Sequence, residues 1–144
     1  MDYMSQSNQA EGPPAKKILI VDDEPDVLSY LEMLLQDCGY ETLTARNGKE
    51  ALEILRKEKP DLVTLDISMP EASGTRFYKE VKTDPELAST PVFIVTAVTG
   101  YGGDKYGYEK FISHRRLVPA PEAFFPKPID REEFISAVKE RLAA

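Results

Sequence analysis

Asp61-Leu62-Val63-Thr64-Leu65-Asp66-Ile67-Ser68-Met69-Pro70-Glu71-Ala72-Ser73-Gly74 is the stretch whose reading decides the fold. Asp61 to Leu65 has the short apolar pattern of a strand buried on both faces. It ends abruptly in one aspartate, followed by a turn-forming Met-Pro and by a glycine eight residues after that aspartate. A carboxylate at the carboxyl end of a central parallel strand sits where open α/β sheets place their chemistry.

Outward from this stretch, three more apolar runs end in polar residues. Lys17-Ile18-Leu19-Ile20-Val21 leads into Asp22 and Asp23, Val92 to Val95 into Thr96-Ala97, and Phe124-Phe125 into Lys127-Pro128. Helical patterns separate the runs, which predicts a parallel sheet covered on both faces. A first helix is expected from Pro25 to Asp37 or Cys38, before Gly39, with Leu28, Leu31, Leu35 and Cys38 on one stripe. Glu41 to Ala45 reads as a strand, and Asn47 as the cap of a helix through Glu58 with Ala51, Leu52 and Leu55 inward. A further helix is expected from about Gly74 to Lys82, with Phe77 and Val81 inward, before Pro91 opens the next strand. Asp130 caps the last helix with Glu133 three residues on, and Phe134, Val138 and Leu142 repeat on one face. Pro126 cannot donate to a sheet ladder, so its strand is expected at an edge.

The 144 residues suffice for one domain with a real core. A net charge of −7 argues against a nucleic-acid surface spread over the whole chain. The single cysteine, Cys38, excludes an intrachain disulfide, fits a reducing cytoplasm and falls in an apolar pattern that reads as core. No apolar run approaches a membrane span, and the first fifteen residues lack the apolar centre of a signal peptide. Residues 1–15 read as a disordered polar tail and 16–144 as the folded domain, with no effector domain after it.

Taken together, the Asp22-Asp23, Asp66, Thr96 and Lys127 set resembles the receiver domain of bacterial two-component response regulators, from about Lys16 to Ala144. The resemblance implies a flavodoxin-like, doubly wound sheet of five parallel strands in the order 2-1-3-4-5. With that order, Asp22, Asp23 and Asp66 share one pocket, where three like charges must raise a pKa or bind a cation. Oxygen-only ligands with room for waters suit Mg²⁺. By resemblance, Asp66 accepts the phosphoryl group. Asp23 and Asp66 hold the metal directly, Ser68 offers its backbone carbonyl, and Asp22 acts partly through water. Lys127 and the Thr96 hydroxyl would hold phosphoryl oxygens, while Thr96 and Phe124 form the switch pair that reports the charge change to the surface. A phenylalanine there lacks the hydroxyl of the tyrosine often found in the family. The implied partners are a histidine kinase or phosphotransfer protein as donor and a downstream protein as target. The implied state is a monomer or a phosphorylation-dependent dimer in the cytoplasm. Such a protein is a switch with at most slow autodephosphorylation rather than an enzyme.

One region departs from the family pattern. Thr96 and Lys127 are 31 positions apart, and Gly100, Gly102, Gly103 and Gly107 crowd the interval. The fourth helix is therefore expected to be displaced, shortened or irregular across 99–122. Tyr101, Tyr106, Tyr108 and Phe111, followed by Lys110, His114, Arg115 and Arg116, read either as a recognition loop or as a solvent loop. Two other functional classes stand beside the switch. One is an interaction module with this fold that works without phosphorylation. The other is an aspartate-based phosphatase, disfavoured because its second aspartate would fall where Ser68 stands.

Overall fold

The computed structural model describes residues 15–69, 73–97 and 120–143. Strands β1 (Lys17–Val21), β2 (Glu41–Ala45), β3 (Leu62–Leu65), β4 (Val92–Ala97) and β5 (Ala123–Lys127) form one parallel sheet in the order β2-β1-β3-β4-β5. Among the described residues there are four helices: α1 (Pro25–Asp37), α2 (Gly48–Glu58), α3 (Ser73–Thr83) and α4 (Arg131–Leu142). The tail up to residue 14, the Pro70–Ala72 turn and the aromatic and basic segment within 98–119 lie outside the described residues. So does the helix expected between β4 and β5.

The strands are apolar throughout because both faces of the sheet are covered. Side chains alternate between faces at period two, and the core divides accordingly. Ile18 and Ile20 of β1, Phe93 and Val95 of β4 and Phe125 of β5 pack with Leu28, Leu31, Leu34 and Leu35 of α1 and Phe134 and Val138 of α4. Leu19, Val21, Val63, Leu65 and Ile94 pack on the opposite face with Ala51 and Leu55 of α2 and Phe77, Tyr78 and Val81 of α3. Each Leu, Ile, Val or Phe among them, removed fully from water, contributes about 1.5–3 kcal/mol. Phe125 ties the edge strand to the first layer, with its ring centroid 5.3 Å from Phe134 in an edge-on arrangement and 5.5 Å from Phe93.

Helix ends follow local chemistry. Pro25 opens α1 with its fixed φ, and Gly39, at φ +94°, takes the left-handed conformation just beyond that helix. The Asn47 side chain accepts the Glu50 amide at 2.8 Å, and Asp130 accepts the Glu133 amide at 3.1 Å. Four assignments of inward residues differ from the helical-stripe reading. Leu34 joins the buried stripe of α1, whereas Cys38 is only half-buried, because it sits at the helix end where the chain turns out of the packed layer. Leu52 is half-buried, while Tyr78 is fully buried beside Phe77. Pro126 is exposed on β5, at the sheet edge where its missing amide costs no ladder bond.

Candidate functional site

Strand order builds the site. β1 and β3 are neighbours in register Val21↔Leu65, so the next residue of each, Asp22 and Asp66, leaves the sheet side by side. The Asp66 amide donates to the Val21 carbonyl at 3.0 Å, and the Asp22 amide to Ala45 at 3.1 Å, so both backbones are held as extensions of the sheet. On the other side of β3, Leu65 pairs with Ile94, and Thr96 lies two residues further along β4. β5 brings Lys127 opposite Ala97. Residues 22, 66, 96 and 127 therefore meet at the carboxyl edge.

Asp22, Asp66 and Thr96 are buried, Asp23 is half-buried, and the Lys127 side chain is 16% exposed. One carboxylate oxygen from each of Asp22, Asp23 and Asp66 lies within 4.8 Å of the others, a group that could hold a metal ion. The Lys127 ammonium donates to Asp22 Oδ2 at 2.7 Å and stands 3.5 Å from both Asp66 Oδ2 and Glu24 Oε1. Asp66 Oδ1 receives three donors: the Ser68 amide at 2.9 Å, the Ser68 hydroxyl at 2.7 Å and the Thr96 hydroxyl at 2.9 Å. Thr96 Oγ1 also lies 3.1 Å from Ser68 Oγ.

The electrostatics follow from three carboxylates, Asp22, Glu24 and Asp66, sharing one ammonium. Burial raises the Asp22 carboxyl above its ordinary value; the Lys127 and Glu24-amide hydrogen bonds pull against this, while Asp66 adds to it. Burial works against the Lys127 charge, yet Asp22, Asp66 and Glu24 outweigh it and hold the ammonium above the usual lysine value. The all-oxygen donor set with an excess of negative charge suits a hard divalent cation.

Gly74 packs directly against the Asp66–Ile67 backbone. A Cβ there would stand 2.8 Å from the Ile67 Cα and closer still to the Asp66 carbonyl oxygen. The first turn of α3 can approach the strand end this closely only because position 74 has no side chain. Thr96 and Phe124 share a face of the sheet. Phe124 is in register with Ile94, two residues before Thr96, and is partly buried against the layer containing Ile94. Lys127-Pro128 is a cis peptide bond.

With this geometry in place, the match to known proteins is informative. The model of the response regulator receiver domain matches residues 18–139. The chain belongs to that family. This receiver is 36% identical over 127 residues to the polar-differentiation response regulator DivK of Brucella anthropi, a match spanning 88% of this chain and 96% of that one. Its fold is similar to that of a putative response regulator from Chloroflexus aurantiacus, with a TM-score of 0.77, 29% identity and coverage of 91% and 100% of the two chains. It is also similar to the chemotaxis protein CheY4 of Vibrio cholerae, with a TM-score of 0.74, 26% identity and coverage of 90% and 100%. Receiver domains are signalling switches rather than enzymes of the usual kind.

Asp22, Asp23, Asp66, Ser68, Thr96 and Lys127 lie together at the carboxyl edge of the sheet, whereas Phe124 lies within β5, in register with Ile94. Sequence reasoning missed two contributions. Glu24 reads as part of an acidic helix start, yet it reaches Lys127; its place at the N-cap before Pro25 was the available signal. Ser68 was assigned a metal-binding carbonyl, and its hydroxyl and amide both bond Asp66 Oδ1 as well. A carboxylate bonding back to its own chain two residues on is a habit of aspartate in turns, which could have signalled the contact. Among the described residues, no helix is long and apolar enough to cross a membrane.

Proposed function

We propose that this receiver is a phosphoacceptor switch of the cytoplasm, taking a phosphoryl group on Asp66 from a histidine kinase or phosphotransfer protein. The observation that carries this reading is the convergence of Asp22, Asp23 and Asp66 with Lys127 and Thr96 at one strand edge. An Asp66 oxygen attacks the phosphorus of the donor phosphohistidine. A P–O bond forms, the P–N bond breaks, and the imidazole leaves with the electron pair and takes a proton from solvent. The carboxylate needs no deprotonation, so the protein's task is positioning and charge compensation. Lys127 trades part of its contact with Asp22 for a phosphoryl oxygen, and Thr96 turns its hydroxyl onto another. Asp23, Asp66 and the Ser68 carbonyl, with Asp22 through water, are the groups that would hold Mg²⁺, which neutralises phosphoryl charge when bound. Movement of Thr96 changes the space beside Phe124 on the same face, and so carries the charge event to a surface read by a downstream protein.

The test is intact mass after incubation with acetyl phosphate, with and without Mg²⁺, on the wild type and on Asp66→Asn. A gain of one phosphoryl group that requires Mg²⁺ and is absent from the variant supports the switch. No gain under any condition refutes it and leaves a receiver that works by binding alone.

A further inference from the structure

A cavity of about 630 Å³ is lined by the first turns of α2 and α3, a size that suits a small organic molecule. Three cations line it: Arg46 in the loop before α2, Lys49 in the first turn of α2, and Arg76 in the first turn of α3. All three are exposed, and among the described residues none of their side chains makes a hydrogen bond or an ion pair. The chain carries 25 Asp+Glu against 18 Lys+Arg, so cations without an acidic partner around one space stand out against its charge balance. They repel one another, and an anion between them relieves that repulsion. Leu52, Met69 and Phe77 give the cavity an apolar wall, while Asp23 and Glu80 add acceptors. The capping amides of α2 are already used: Gly48 donates to Ser73 Oγ and Glu50 to the Asn47 side chain. Side chains, not a helix end, therefore carry any recognition here.

We propose that this cavity binds a purine nucleotide, with its phosphate on Arg46, Lys49 and Arg76 and its ring against Leu52, Met69 and Phe77. A guanidinium presents a planar fork that pairs two phosphate oxygens at once, and the lysine adds a point charge. The Asp23 and Glu80 carboxylates accept from ribose hydroxyls and from N–H groups of the base. Three cations against two carboxylates leave the lining with a small positive excess. A bare phosphate meets the cations but leaves the apolar wall unused and faces both acids. A nucleoside meets the wall but leaves the cations unpaired. A nucleotide uses all three parts of the lining. Asp23 also belongs to the acid cluster with Asp22 and Asp66, so the bound nucleotide lies beside the acceptor pocket, and occupancy of one is coupled to occupancy of the other. The site needs no phosphoryl transfer and stands apart from the phosphoacceptor reading.

Isothermal titration calorimetry of the full chain with AMP, ribose 5-phosphate, adenosine and inorganic phosphate tests this. EDTA in the buffer keeps divalent cations from bridging the phosphate to the acid cluster. AMP should bind with a Kd below about 1 mM, and the three fragments at least about ten-fold more weakly. Arg46→Ala and Arg76→Ala, both at exposed positions, should each weaken AMP about ten-fold, the factor a charge-assisted hydrogen bond is worth at a wet site. Arg56→Ala removes an exposed cation from the other end of α2, where it pairs with Asp84, and should leave AMP binding unchanged. Asp66→Asn should bind AMP at least as well as wild type, so the nucleotide site and the phosphoacceptor reading stand or fall separately. No binding of AMP overturns the proposal. So does an equal loss in Arg56→Ala, which marks general charge attraction, or inorganic phosphate or ribose 5-phosphate binding as tightly as AMP, which removes the ring from the site.

Discussion

Gly74→Ala tests whether the acceptor is held by backbone packing. Alanine stabilises a helix interior over glycine by about 1 kcal/mol, and Gly74 lies in the first turn of α3 without a positive φ, so on propensity alone the change should stabilise. Packing predicts the reverse. The added Cβ meets the Ile67 Cα at 2.8 Å and the Asp66 carbonyl oxygen closer still, and backbone, unlike the end of a flexible side chain, cannot step aside. Overpacking of this kind costs about 1–3 kcal/mol. Because both atoms it meets are backbone, the cost lies in the upper part of that range, about 2–3 kcal/mol; less the propensity gain, the net loss is about 1–2 kcal/mol, a fall in Tm of about 3–7 °C for a domain of this size. Thermal unfolding followed by far-UV circular dichroism measures it, with Gly39→Ala as comparison. Gly39 has φ +94° and nothing within 4 Å of a built Cβ, so its cost is the backbone strain alone. The displaced Asp66–Ile67 backbone should also slow phosphorylation of Gly74→Ala, whereas Gly39→Ala should react normally. A Gly74→Ala protein as stable as wild type would refute the claim that the helix bears directly on the acceptor.

Two further predictions concern the charges. Lys127→Met leaves the buried Asp22 and Asp66 without their cation and should destabilise the metal-free protein by about 3 kcal/mol; Mg²⁺ should restore more stability to the variant than it adds to wild type, as measured by urea unfolding with and without the ion. Lys82 is buried at the opposite edge of the sheet. Its ammonium donates to the Thr90 carbonyl at 2.8 Å and stands 3.8 Å from Glu122, which in turn accepts the Val92 amide. Burial lowers its pKa, with Glu122 opposing and Arg141 adding to the shift. Between that lowered value and the unfolded 10.5 the unfolded chain binds more protons, so this group makes stability rise with pH across the window. Lys82→Met should remove that rise, and denaturant midpoints for both proteins at several alkaline pH values would show parallel curves if the reasoning is wrong.

Much of this receiver was legible because its signals are local. Periodicity of two and of about 3.6, the caps at Asn47 and Asp130, Pro25 at a helix start and Gly39 at its end all act within one turn, so they give the elements directly. Acids, hydroxyl and lysine at strand ends also stand in the chain as readable residues. Their meeting was legible only by resemblance, since no local pattern orders strands.

What the sequence by itself determined is therefore the set of elements and the chemistry available at their ends. Only the tertiary structure decided which of those groups touch. Lys127 reaches across 105 residues to Asp22, and Thr96 across 30 to Asp66. The two Asp66 oxygens meet different strands, Oδ1 the Thr96 hydroxyl of β4 and Oδ2 the Lys127 ammonium of β5. Lys82 shows the same limit. Its place in α3 suggests an ordinary solvated lysine, but packing of that helix end against the start of β5 buries it among carbonyls and a carboxylate. Hydrogen bonds and ion pairs act over a few ångströms in space, and the fold, not the spacing along the chain, sets which groups come within that reach.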